Sequence, residues 1–238
     1  MIYKKIFCVC LLFHCCFGNA QKVSDVFKKL GQQYSVAKPL QYQSKYILYK
    51  DFDSKKIEES YSGVFYKNSQ NEVYMKIGDT EILNSKTVNL KISHSEKAIA
   101  ISNPVPSYFG DFDMKPLLDL CKVDKFVDYK LYWEITMSMK PFSSLPYSKI
   151  IVRVSKTYLL LKQVFYYNTA TNFSKDFRKP DVHYPRLEVV YTNYKRNAIS
   201  PTIFNSSTYF TTPSKNTIVL AKRLKKYEIV DQRNNSNN

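Results

Sequence analysis

The sequence predicts a mainly β, α+β fold, in which a strongly curved antiparallel sheet packs against an N-terminal helix and a short mid-chain helix. About a dozen segments alternate polar and apolar residues with the period of two that a half-buried strand requires. These segments are dominated by aromatic and β-branched residues, including many of the 20 tyrosines of the chain, which suit a pleated surface. Only five glycines punctuate the sequence, too few for the steady rhythm of short strands and Gly/Pro turns in a sandwich. The leading amphipathic helix needs an apolar partner, and a curved sheet supplies one.

Residues 1–20 read as a signal peptide. Met1 to Lys5 form a short basic region, Ile6 to Phe17 an apolar run, and Gly18-Asn19-Ala20 a small-x-small cleavage site, which places the mature start at Gln21. The run falls short of the roughly 20 apolar residues that cross a bilayer as a helix. Lipidation at Cys15 or Cys16 is the competing reading, but His14 and Cys15 stand where a lipobox takes Gly, Ala or Ser. Loss of this segment removes Cys8, Cys10, Cys15 and Cys16, leaving Cys121 without an intramolecular disulfide partner. Within Leu117-Leu118-Asp119-Leu120-Cys121, it reads as a small buried hydrophobe. Removing Lys4 and Lys5 lowers the formal charge from +16 to +14, which favours anionic partners.

In the helix that opens the mature chain, Ser24 is the expected N-cap, Asp25 suits the first turn, and Val26, Phe27, Leu30 and Tyr34 share a face. Gly31 weakens its second half. Leu40, Tyr42, Tyr46 and Leu48 then mark the apolar side of a strand over Leu40 to Tyr49. Strands follow at Glu59 to Tyr66, Glu72 to Ile77, Thr80 to Leu83, Thr87 to Ile92 and Lys97 to Ile101. Asn68-Ser69-Gln70-Asn71 and Gly78-Asp79 supply turn chemistry between hairpin partners. Pro104 and Pro106 interrupt the sheet, and Asp113 to Cys121 reads as a short helix with Asp113 as cap and Pro116 in its first turn. Strands return at Tyr129 to Met139, Lys149 to Val154, Thr157 to Tyr167, Arg186 to Tyr194, Thr217 to Ala221 and Lys226 to Val230. Ser174 to Tyr184 reads as a charged loop and Lys195 to Asn216 as irregular. Without a linker or repeat, residues 21–230 form one expected domain, and 231–238 a disordered polar tail.

The order of helix, meander, short helix and longer strands resembles the LolA-like family of periplasmic lipoprotein carriers. Local texture agrees in Tyr46-Ile47-Leu48-Tyr49, Gly63-Val64-Phe65-Tyr66, Glu81-Ile82-Leu83-Asn84, Val88-Asn89-Leu90-Lys91-Ile92 and Leu187 to Tyr194. The resemblance implies an unclosed half-barrel whose concave face, covered by the helices, forms a cavity for acyl chains or another hydrophobic ligand. The arginine that governs lipoprotein release in that family has no counterpart, because residues 21–100 contain no arginine. The resemblance therefore implies a generic binding role rather than specific lipoprotein shuttling.

Strand alternation nominates the residues lining such a cavity: Tyr42, Tyr46, Leu48, Trp133, Ile135, Met137, Leu159, Leu161, Phe165, Leu187, Val189 and Tyr191. Ordinary core packing is the competing role for each. Trp133 with Met137 and Met139 is the best local candidate, because a broad indole and flexible thioethers adapt to an alkyl chain. Lys222, Arg223, Lys225 and Lys226 form the local basic cluster suited to an anionic membrane surface or envelope protein.

No catalytic constellation is readable. His94 and His183 lack partners at metal-ligand spacing, there is no G-x-S-x-G elbow or P-loop, and Asp111 and Asp113 suit helix capping better than catalysis. Three N-x-S matches, at Asn172, Asn205 and Asn234, are short enough to arise by chance. The export signal argues against nucleic acid as the partner. The expectation is a monomeric, exported, non-enzymatic binding protein, periplasmic or secreted, without metal or cofactor. An assembly factor docking through a basic face and a carboxylate-based hydrolase are the alternatives.

Overall fold

A computed structural model describes residues 22–105, 115–176, 178–214 and 217–233. The expected signal peptide, Asp111, Asp113 and the end of the polar tail lie outside the described residues. Helix α1 covers 22–35, so Ser24 lies within the helix rather than at its cap. Its buried stripe, Val23, Val26, Phe27, Leu30 and Tyr34, is at most 6% exposed and has the helical spacing of a packing face.

The strands are β1 (Leu40–Tyr49), β2 (Ile57–Lys67), β3 (Val73–Ile77), β4 (Thr80–Asn84), β5 (Asn89–Ser93) and β6 (Ala98–Ser102). After α2 (Lys115–Leu120) come β7 (Cys121–Asp128), β8 (Tyr132–Met139), β9 (Tyr147–Ser155) and β10 (Leu160–Tyr167). The chain continues with β11 (Thr171–Asn172), β12 (Val182–His183), β13 (Arg186–Lys195), β14 (Phe210–Ser214), β15 (Thr217–Leu220) and β16 (Glu228–Asp231). Twelve of them form one sheet in the order β16-β6-β5-β4-β3-β2-β1-β13-β10-β9-β8-β7. That order has two ends, so the sheet is not closed into a barrel, in agreement with the predicted mainly β, unclosed class. The pairing of β16 with β6 departs from the antiparallel expectation: the two run parallel, with Ile229 opposite Ile99.

The chain packs as two compact units whose segments interleave in sequence. The first comprises residues through Gln33, Ile47–Ser60 and Phe112–Val190. Its meander β7-β8-β9-β10, followed by β13, is antiparallel throughout. Irregular register between Val123 and Lys125, and between Leu160 and Lys162, bends the strands locally. The irregularity in β7 disturbs its alternation, which is why that strand escapes sequence reading and why the expected strand over Tyr129 to Met139 is only β8 preceded by a turn. The mid-chain helix correspondingly ends at Leu120, and Cys121 opens β7.

The second unit comprises Tyr34–Tyr46, Tyr61–Asp111 and Tyr191–Asn238. In it, β2 to β6 form an antiparallel meander. Its core joins Leu83, Val88, Leu90, Ile92, Ile99 and Ile101 to Phe204, Tyr209, Phe210 and Leu224 of the C-terminal segment. The stretch expected to be irregular thus supplies core, through 3-10 turns at Pro201–Phe204 and Ser206–Thr208 and through β14. Gly78 adopts φ +53 in the two-residue β3-β4 turn, the left-handed region such hairpins use.

Gly63 is constrained by space instead. A Cβ there would lie 2.5 Å from Ser44 Oγ, 3.1 Å from the Lys76 carbonyl oxygen and 3.3 Å from the Tyr46 ring. Gly63→Ala is expected to destabilise the protein by about 1–3 kcal/mol through this overpacking, measured as a lowered urea midpoint at unchanged m-value.

Candidate functional site

Register defines the candidate face of the first unit. Trp133, Ile135 and Met137 lie opposite Val154, Val152 and Ile150, Phe165 lies opposite both Ile150 and Leu187, and Gln163 opposite both Val152 and Val189. Directly opposed residues share a face, so these side chains form one predominantly apolar surface. Ile135, Met137, Ile150, Val152, Val154 and Val189 are at most 3% exposed, whereas Trp133, Phe165 and Leu187 are half-buried along its margin. The other face is charged: Glu134 pairs with Arg153 at 2.7 Å and Lys162 with Glu188 at 2.6 Å.

Six of the residues nominated by alternation, Trp133, Ile135, Met137, Phe165, Leu187 and Val189, therefore share this face. Leu159 lies in the turn before β10, and Leu161 at the register irregularity after Leu160. The buried residue aligned with the face there is Leu160, opposite Val154. Leu48 is half-buried on β1. Cys121 is 3% exposed with Sγ 3.6 Å from Met139 Sδ, and burial raises its thiol pKa. It is packed as a small hydrophobe.

At one end of the face, Trp133 stacks on Tyr158 with ring centroids 5.2 Å apart. Lys156 Nζ lies 4.1 Å from the Trp133 ring centroid, and Lys29 of α1 donates to the Tyr158 hydroxyl at 3.1 Å. The apolar stripe of α1 and this sheet face are the two main buried apolar surfaces of the first unit.

Tyr42, Tyr46 and Tyr191 belong to the second unit. Tyr42 stacks on Phe65 at 4.6 Å and meets Tyr191 edge-on at 5.6 Å, while Tyr34 and Tyr194 share a 2.7 Å hydroxyl contact. Burial raises the Tyr42, Tyr191 and Tyr194 pKa values well above the usual phenol range. Beneath the cluster is a residue that alternation does not reveal. Lys67, fully buried, donates to the backbone oxygens of Tyr34 and Val36 at 2.6 and 2.7 Å and to Asn71 Oδ1 at 3.3 Å. The cation thereby meets carbonyls at the negative end of α1. Burial, assisted by nearby Arg196, lowers its pKa to about 8.

His94 and His183 are both engaged. His94 Nε2 lies 2.7 Å from Glu81 Oε1 and its Nδ1 2.8 Å from the Tyr227 hydroxyl. The Tyr209 hydroxyl donates to Glu81 Oε2 at 3.2 Å. Burial acts to raise the Glu81 carboxyl pKa, but hydrogen bonding by His94, with Lys76 and Tyr209 nearby, outweighs it and holds the value below the usual range. His183 bridges Asp181 at 2.6 Å and Asp51 at 2.9 Å, and these hydrogen bonds raise its imidazole pKa. Partners 13 and 132 positions apart have no linear spacing signature. Among the described residues, no group of three or more His, Cys, Asp or Glu is placed to hold a metal, and no helix is long and apolar enough to cross a membrane.

Lys222, Arg223, Lys225 and Lys226 are exposed around buried Leu224, with the Arg223 guanidinium 4.8 Å from the Tyr209 ring centroid. A separate cleft of about 320 Å³ in the second unit is lined by Thr87, Val88, Ser206, Ser207, Phe210, Thr211, Thr212 and Arg233.

Several solved structures are similar to this chain. The chain is similar to an uncharacterized conserved protein from Thermus thermophilus, with 11% identity over 89% of this chain and 99% of that one, at a TM-score of 0.48. It is similar to a LolA superfamily protein from Nitrosomonas europaea, with 9% identity over 77% and 97% of the two chains, at a TM-score of 0.26. It is also similar to LprF from Mycobacterium bovis, with 8% identity over 76% and 96%, at a TM-score of 0.35. No protein-family model and no curated protein matches the chain.

Proposed function

We propose that this chain is an exported, non-enzymatic carrier that holds a hydrophobic or lipid-linked ligand on the apolar face of the β7-β10 and β13 strands. The observation that carries the reading is that face, apolar from Trp133 through Met137 and from Phe165 through Val189, with half-buried aromatic and aliphatic residues at its margin. Val23, Val26, Phe27 and Leu30 of α1 occupy the apolar environment that an acyl chain would take, and Gly31 lowers the cost of loosening the second half of that helix. The carrier acts as a monomer in the periplasm or outside the cell.

Trp133 is the single tryptophan of the chain, so a fatty acid bearing a fluorescent acceptor tests this reading directly. Titration is expected to quench Trp133 saturably by energy transfer, and Leu187→Glu, at the half-buried margin, is expected to weaken binding about tenfold or more. Absence of saturable quenching with the folded protein would count against the carrier. The exposure of Lys222, Arg223, Lys225 and Lys226 favours a second reading, an assembly factor docking on an envelope component. That reading expects a protein partner and no bound lipid.

A further inference from the structure

We infer that the paired β7-β8 and β9-β10 hairpin turns form a docking tip for an anionic lipid bilayer. Leu131 is 73% exposed and Tyr129 41% exposed, and Lys130 between them is exposed too. Leu131 and Tyr129 together display apolar surface at this one turn. It is also held in place. Tyr129 N–H donates to the Tyr132 carbonyl at 2.9 Å, and Lys156 N–H to the Leu131 carbonyl at 3.2 Å, tying the two turns together. Lys156 also pairs with Asp128.

Behind Leu131 lies the composition of a membrane interface. Tyr129 and Tyr132 pack with centroids 4.7 Å apart, and Trp133 stacks on Tyr158. Cations sit on these rings: Lys156 on Trp133, Lys29 on Tyr158 and Arg153 on Tyr132. Amphipathic rings with an apolar body and a wet edge settle at headgroup depth. Lysine stems lie along apolar surface while their ammonium groups reach phosphate. Asp128 and Glu134 are each engaged by a basic partner, and Lys29 and exposed Lys130 add further positive charge to the set. Charge complementarity therefore selects an anionic bilayer over a neutral one.

The inference rests on the carrier reading in one respect: docking here places the Trp133 end of the apolar face at the membrane, where an acyl chain can exchange. The test uses protein recovered from the periplasm of an expressing Gram-negative host, with vesicles of phosphatidylcholine alone or mixed with phosphatidylglycerol. The expected result is co-sedimentation with the mixed vesicles and a blue shift of Trp133 emission. Both should weaken at least about tenfold in Leu131→Asp and fall in Lys130→Glu, while co-purified lipid is unchanged. Equal binding by wild type and Leu131→Asp, or equal binding to neutral and anionic vesicles, would overturn the docking tip. Retained lipid without vesicle binding overturns the tip alone, whereas vesicle binding that depends on Leu131 without any co-purified lipid supports the tip and removes the carrier reading. Both substitutions lie at exposed turn positions, and near-UV circular dichroism confirms that each variant keeps its fold.

Discussion

Lys67→Ala is expected to cost about 3–5 kcal/mol, because it removes a buried cation's hydrogen bonds and leaves a cavity at the same point. The ammonium is the donor that meets the Tyr34 and Val36 carbonyls where α1 ends, and burial leaves these oxygens little access to replacement water. Lys67→Met keeps most of the volume and isolates the polar loss, expected at about 2 kcal/mol. The pH dependence distinguishes this role from simple packing. With its pKa lowered from 10.5 to about 8 in the folded protein, Lys67 releases its proton there while the unfolded chain still holds one. Wild-type stability from this group therefore rises with pH between about 8 and 10.5 and falls away as pH drops through about 8. The raised Tyr42, Tyr191 and Tyr194 values act oppositely above pH 10, where the unfolded chain loses phenolic protons first. Urea unfolding across this range should show the alkaline rise in wild type and its loss in Lys67→Met.

Glu81→Ala is expected to cost about 2–4 kcal/mol by stranding the buried groups that its carboxylate holds. That carboxylate engages His94, accepts from Tyr209, and has Lys76 Nζ 3.7 Å away. Tyr209→Phe removes one of these bonds and is expected to cost about 1 kcal/mol. Because the folded Glu81 pKa lies below 4.5, its contribution is complete above that value and is lost as pH falls through the folded pKa. The acid limb of the stability profile should therefore flatten in Glu81→Ala, as measured by thermal unfolding at stepped pH.

The contrast between these anchors and the apolar face shows what the sequence makes legible. The stripe Val26, Phe27, Leu30, Tyr34 and the alternation of Trp133, Ile135, Met137 follow from local periodicity; the stripe, Ile135 and Met137 are buried and Trp133 is half-buried. Leu159 falls in the turn before β10 and Leu161 at the register irregularity after Leu160, where strict alternation no longer tells which residue lies opposite Val154. β7 has no clear period of two, because the register irregularity between Val123 and Lys125 disturbs the alternation of a charged segment. Lys67 reads locally as one more polar strand residue, since nothing beside it indicates a helix ending 33 positions upstream at its ammonium group. The Glu81-His94 and Asp51-His183-Asp181 contacts are products of topology, which brings together residues without a recognisable spacing.

Native mass spectrometry with lipid extraction, comparing wild-type protein from the periplasm with Trp133→Glu, tests the carrier most directly. A lipid that co-purifies with wild type and is lost from the folded variant is the expected result. A wild-type protein that arrives without lipid, and fails to bind added lipid while remaining folded, would contradict the carrier and leave docking through Lys222, Arg223, Lys225 and Lys226 as the reading to pursue.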